Sequence, residues 1–293
     1  MKEPSPLRSI SRRLAGIYTE ERMLFGFGLL GIMLGLIALA VMAVHGRIIP
    51  PEGYIYKAAS FDIAAGIYIL TIILFIPFAG FSQRGRAFWR WCSVALALYA
   101  YAVENIQIYR GLDPRFTRHG SAVDNIAGIL FGGTALGLIT MFLILMWRFF
   151  SKRSAIKDKI LLLGIRYGCV SVILGFGVGF WLGVNQGPKF GAAGNLLPLH
   201  AAGFHGLQAI PLVALLLGWA RVPEESARRW VHAAGLAWLG ACAGIAWQTA
   251  RGQSVLEISA ATLLALGLLL GWMLCAVMAS VAWRRAASVS YSA

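Results

Sequence analysis

Apolar runs of about 20 residues, the length of a membrane-crossing helix, recur along most of the chain and are separated by short segments rich in charge, Gly or Pro. They predict spanning helices near Met23 to Val44, Phe61 to Phe81, Trp89 to Tyr109 and Asn125 to Trp147. Four more are predicted near Ile160 to Val184, Leu197 to Ala220, Trp230 to Ala250 and Ile258 to Trp283. The expected fold is all-α: a polytopic membrane protein with eight transmembrane helices. An N-terminal segment over 1–22 precedes a single membrane domain over 23–283, and a short tail over 284–293 follows it. The connections, Arg47 to Ser60 and Asn185 to Asn195 among them, are too short to hold a soluble domain.

Composition supports this reading. Of 293 residues 59% are apolar and 13% charged, with mean hydropathy +0.72, whereas soluble domains carry about 25% charge. A soluble enzyme, a disordered chain and a disulfide-stapled secreted module are excluded. The net charge of +14 has a topological meaning. With the N-terminus inside, nineteen Lys and Arg fall on the cytoplasmic side and seven outside, while acidic residues divide evenly. That asymmetry places both termini in the cytoplasm of a cell whose inner membrane holds the protein. The basic loop Lys152, Arg153, Lys157 and Lys159 then suits lipids, anionic headgroups in particular, and not nucleic acid. The first apolar run exceeds a signal-peptide core and reads as a retained helix. Cys92, Cys169, Cys242 and Cys275 all fall inside spans without C-x-x-C spacing and read as packing residues.

The two sets of four spans share short matches. The third span runs from Arg90-Trp91 to Gln107-Ile-Tyr-Arg110-Gly111 and the seventh from Arg229-Trp230 to Gln248-Thr-Ala-Arg251-Gly252. Ala64-Ala65-Gly66 matches Ala201-Ala202-Gly203, and Trp147-Arg148 matches Trp283-Arg284. One reading is a tandem duplication, with halves over 23–150 and 160–285; four spans per half would give both the same orientation, a parallel repeat. The other is that Arg and Trp are ordinary residues of helix ends at the interface. Eight helices in two four-helix halves resemble the layout of the haem A synthase family, a likeness confined to the spans. That resemblance implies haem-ligating histidines in several spans of both halves; here only the sixth span has histidines at membrane depth, so the activity is not carried over.

Polar side chains inside hydrocarbon are costly and mark sites. They gather in the outer halves of the spans, from Asp62, Glu104 and Asn105 to His200, His205, Gln208 and Gln248. Glu104, Gln107 and Gly111 lie at i, i+3, i+7 on one helical face, with Glu104 about 9 Å deeper than Arg110. Glu104 needs a partner: either a structural ion pair to Arg110, Arg115 or Arg251, or a ligand. In the sixth span His205 and Gln208 share a face, while His200 lies about 140° round from His205. His205 is about 12 Å below Leu197, comparable to Glu104. The candidate site is therefore Glu104, Gln107, Arg110, His200, His205 and Gln208, with His205 and Glu104 as metal ligands and haem or a divalent metal as cofactor. A neutral histidine hydrogen-bonded across helices is the plainer reading of His205. Asp113 and Arg115 read as an ordered loop that is also able to close over the site.

No motif names a reaction. Three functions fit: a redox protein or membrane enzyme with an outward-facing His/Glu pocket, a transporter of a small solute or lipid, and a sensor or accessory bundle whose polar groups are structural.

Overall fold

A computed structural model describes residues 15–292; most of the predicted segment 1–22 lies outside the described residues. The architecture is all-α, and seven helices are long and apolar enough to cross a membrane. The chain divides into two compact units, Met1–Ala155 and Ile156–Ala293.

Unit one contains α1 (Arg22–His45), a two-stranded hairpin of β1 (Ile48–Ile49) and β2 (Gly53–Tyr54), α2 (Ile55–Ile73), α3 (Gln83–Tyr109) and α4 (Ala122–Phe150). The buried positions of α1 are Leu24, Gly28, Gly31, Gly35 and Ala38, spaced alternately four and three apart. This seam of small residues brings backbones together: a Cβ built on Gly35 would lie 2.9 Å from the Ala59 carbonyl oxygen of α2. The second span starts six residues earlier than the apolar run suggests, because the hairpin feeds directly into α2 at Ile55. Asp62 is therefore two turns inside the helix instead of at its mouth.

The helix α3 is the one predicted span that falls outside the seven apolar ones. Three of its four charges, Arg86, Arg90 and Glu104, are in ion pairs. Arg86 Nε lies 2.5 Å from Glu21 Oε1 and Arg90 Nε 2.5 Å from Glu21 Oε2, with the Glu21 side chain fully buried. At its other end Glu104 is paired as described below.

Unit two contains α5 (Lys159–Val184), a hairpin of β3 (Lys189–Phe190) and β4 (Gly194–Asn195), α6 (Leu197–Trp219), α7 (Glu224–Ala250) and α8 (Ala260–Ser292). Here α8 continues through most of the predicted tail. The seam of α5 again includes buried residues four and three apart: Gly164, Gly168, Ser171, Gly175 and Val178. Ser171 Oγ donates to the Gly203 carbonyl of α6 at 2.7 Å. Trp238 of α7 donates its indole N–H to the Ala202 carbonyl at 3.1 Å, and Asn195 caps α6 by accepting from the Leu197 N–H at 3.0 Å.

Several details recur between the units. Ile48 pairs with Tyr54 and Ile49 with Gly53; Lys189 pairs with Asn195 and Phe190 with Gly194. A shift of 141 residues carries one hairpin onto the other, and also Gln107 onto Gln248 and Gly111 onto Gly252. Gly111 and Gly252 both have positive φ, +78° and +71°, which only glycine adopts freely. The Gly111 carbonyl accepts from the Glu52 N–H at 2.9 Å, and the Gly252 carbonyl from the Ala193 N–H at 2.8 Å. The Ala-Ala-Gly match is out of this register by one helical turn. Gly66 meets α1 at Gly28, whereas Gly203 meets α5 at Gly175, the residue in line with Gly35 when the two seams are matched at a shift of 140.

Candidate functional site

The hairpin end of each unit, the end that the Lys and Arg distribution assigns to the outer face, holds most of the predicted polar residues. In unit one they form a charged latch. The loop after α3 turns at Gly111 and runs back over the helix ends with Leu112, Asp113 and Pro114 buried. Glu52, in the hairpin turn, accepts from the Thr117 hydroxyl, from the Arg118 N–H at 3.1 Å and from the Asp113 N–H at 3.3 Å. Burial raises this carboxyl, but those donors outweigh it and hold it at about 2. Asp113 accepts from the Arg115 and Phe116 N–H groups at 2.9 and 3.0 Å and pairs with Lys57 of α2. Burial pushes the Asp113 carboxyl up, and the Lys57 and backbone donors bring it below the usual carboxylate range.

That loop delivers Arg115 between the helices. Its guanidinium carbon is 5.3 Å from the Phe61 ring centroid and 5.0 Å from that of Phe131, a cation–π sandwich. Its Nη2 lies 2.5 Å from Glu104 Oε2, with Glu104 fully buried. Of the three arginines offered as partners, Arg115 makes the ion pair. Arg110 instead donates to Gln107 Oε1 at 2.7 Å and to Asp124 Oδ1 at 2.5 Å. Gln107 Nε2 donates to the same Asp124 oxygen at 3.0 Å. Asp124 also closes a capping box with Ser121 at the start of α4. Gln107 and Arg110 thus tie the end of α3 to the start of α4, and Glu104 does not bond to either.

In unit two the corresponding glutamine has neutral partners. Gln248 Nε2 donates to the Ser254 carbonyl at 3.0 Å, and its Oε1 accepts from Ser259 Oγ at 2.6 Å. Ser259 caps α8 reciprocally with Thr262. The histidines lie on α6. His200 Nδ1 is 2.9 Å from the Gly175 carbonyl, and its ring packs edge-on against Phe204. His205 is exposed, with Nδ1 3.0 Å from the amide oxygen of Gln208. A carbonyl oxygen only accepts, so both rings carry their proton on Nδ1 and present Nε2 as the basic nitrogen. His205 shares an exposed stripe with Leu197, Ala201 and Leu212.

Glu104, Gln107 and Arg110 therefore belong to the network of unit one, and His200, His205 and Gln208 to α6 of unit two. Glu52 and Lys57 also belong to the first network, and Tyr101 is buried one turn before Glu104 on the same face of α3. Their sequence gives little signal: the two charges lie in what reads as a loop, and Tyr101 is one aromatic among many in its span. Among the described residues no group of three or more His, Cys, Asp or Glu is arranged to hold a metal ion. Comparison with family models, curated proteins and solved structures finds no match.

Proposed function

We propose that this is an eight-span inner-membrane protein that binds haem through His205. The reading is carried by one observation: an exposed imidazole at membrane depth on an apolar stripe, with its Nδ1–H engaged by Gln208. That hydrogen bond fixes the tautomer in which Nε2 is the ligating atom and orients the ring, the role second-shell partners play for metal-bound histidines. Of the two cofactors the sequence suggests, a divalent ion takes three or more protein donors. Haem would supply nitrogens of its own and would need one imidazole from the protein, which suits a lone exposed histidine. Glu104 Oε2 is committed to Arg115, so the haem reading rests on His205, with Gln208 as its positioning residue.

In this reading α3 is the eighth span, with Arg86 and Arg90 sharing Glu21 at one end and Glu104 paired with Arg115 at the other, and the units are tandem halves of one duplicated four-helix element. The recurring hairpin, glycine turn and glutamine anchor support the duplication. Both termini are cytoplasmic, and Lys152, Arg153, Lys157 and Lys159 contact anionic lipid. A reporter fused after Lys159 is expected to register cytoplasm and one after Lys189 the outer side; the reverse result contradicts the topology. Hemin titrated into the purified protein is expected to give a saturable shift of its visible absorption band that His205→Ala abolishes. No saturable shift, or the same shift in the variant, overturns the haem reading.

A further inference from the structure

Among the described residues of unit one five buried side-chain oxygens have no hydrogen-bond partner: Ser93 Oγ and, two turns or more further along α3 or on α2 beside it, Asp62 Oδ1, the Tyr101 hydroxyl, Glu104 Oε1 and Asn105 Oδ1. Tyr101, Glu104 and Asn105 stand at i, i+3 and i+4 of α3, which is one helical face. Asp62, from α2, is tied to that face by the Asn105 amide, whose Nδ2 donates to Asp62 Oδ2 at 2.9 Å. Asp62 and Glu104 are both fully buried. The last four unmet groups are all oxygens, and of these only the phenol can donate a proton. A bound group that served them would therefore be a hydrogen-bond donor or a cation.

Charge counting selects the cation. Lys57 is engaged by Asp113 and Arg110 by Asp124, which leaves Arg115 as the cation facing two buried carboxylates, Asp62 and Glu104. Arg115 is bonded to Glu104, whereas the only hydrogen bond to Asp62 comes from a neutral amide. One negative charge is left uncompensated inside a membrane helix, where it is most costly. The charged and titratable groups around Asp62 are Glu104, Tyr101 and Tyr109 on α3 and Arg115 from the loop; α1 presents Gly31 there.

We propose that Asp62, with Asn105, Tyr101 and Glu104, forms an exchangeable site for a single positive charge held by oxygen, either a sodium-sized ion or a proton. The site is independent of the haem reading, since none of its residues lies on α6.

The test uses the full chain in detergent and reads the thermal unfolding midpoint by tryptophan fluorescence. Sodium chloride is exchanged for choline chloride at constant ionic strength, and separately the pH is varied without sodium. A ligand that binds only the folded state raises the midpoint by about 3 °C for each tenfold increase above its dissociation constant. For a sodium site the rise follows sodium at fixed pH; for a proton site it follows falling pH and ignores sodium. In either case Asp62→Asn, which removes the charge and keeps the shape, is expected to flatten the response to under about 1 °C. If Asp62→Asn does not fold, each response has its own substitute: Tyr101→Phe, which removes one oxygen ligand, is expected to weaken a sodium response, and Asn105→Leu, which removes the amide donor to Asp62, is expected to shift a pH response. A wild-type midpoint indifferent to both sodium and pH overturns the proposal, as does a response that these variants leave unchanged.

Discussion

The hairpin ends of the two units use one backbone plan and opposite chemistry. In each, a short hairpin leads into a helix, and a glycine with positive φ ends the third helix against that hairpin. A glutamine one turn before this glycine holds the N-terminus of the fourth helix. Unit one fills that plan with charge: Glu52, Lys57, Asp113, Arg115 and Glu104 form a connected latch. Unit two fills it with Gln248, Ser254, Ser259 and Thr262, and carries its ionisable group, His205, on an exposed stripe. The comparison separates what holds the ends together, a glycine turn and an amide anchor, from what each end is equipped to do.

The largest expected effect comes from breaking the latch. Arg115→Ala leaves Glu104 buried without its ion pair, which costs about 3–5 kcal/mol and is expected to lower the unfolding midpoint steeply or prevent folding. Adding Glu104→Gln to Arg115→Ala is expected to restore much of that loss. The position equivalent to Arg115 in unit two is Leu256, which is 90% exposed, so Leu256→Ala is expected to stay within about 0.5 kcal/mol of wild type. Equal losses at the two positions would mean that the latch is not what distinguishes the units.

Next come the shared turns. A Cβ at Gly111 would lie 2.7 Å from the Pro50 carbonyl carbon, and one at Gly252 would lie 3.1 Å from Gly191 Cα. With the positive φ at both sites, Gly111→Ala and Gly252→Ala are each expected to cost more than about 1 kcal/mol, with Gly111→Ala the worse. A harmless Gly252→Ala in thermal unfolding would break the equivalence of the two ends.

Acid acts on the hairpin end of unit one through Glu52. Glu52 has its folded-state value lowered from 4.5 to about 2, so its stabilisation is complete above pH about 4.5 and is lost as the pH falls through about 2. By linkage this amounts to at most about 3 kcal/mol. Glu52→Gln is expected to lower stability at pH 7 and to remove that part of the acid sensitivity, and an unchanged acid profile in the variant would contradict the role given to Glu52.

Much of this was legible in the sequence, and the misses have physical causes. Helix positions followed from apolar length, and the Gln-x-x-Arg-Gly ends pointed to the two turns that proved alike in backbone detail. The Ala-Ala-Gly match misled because small residues line both helix seams at every turn, so a four-residue slip still aligns glycine with glycine. The hairpins were hidden because their strands are only two residues long, and reading Lys57 as loop pushed the start of α2 too late. Glu104 was recognisable as a buried charge needing a partner. The choice of Arg115 over Arg110 depends on the fold-back of the loop after Gly111, which has no periodic signal. For His205 the sequence supplied the neighbour at i+3, while the direction of the Nδ1–H required coordinates.

The smallest expected effect on stability belongs to His205, because its side chain is exposed, and the account depends most on what that side chain binds. The most direct test is the haem content of the protein purified from cells supplied with haem, quantified per chain in wild type, Gln208→Ala and His205→Ala at matched unfolding midpoints. The account predicts stoichiometric haem in wild type, less in Gln208→Ala and none in His205→Ala. Wild-type protein without haem, or His205→Ala retaining the wild-type amount, would contradict it.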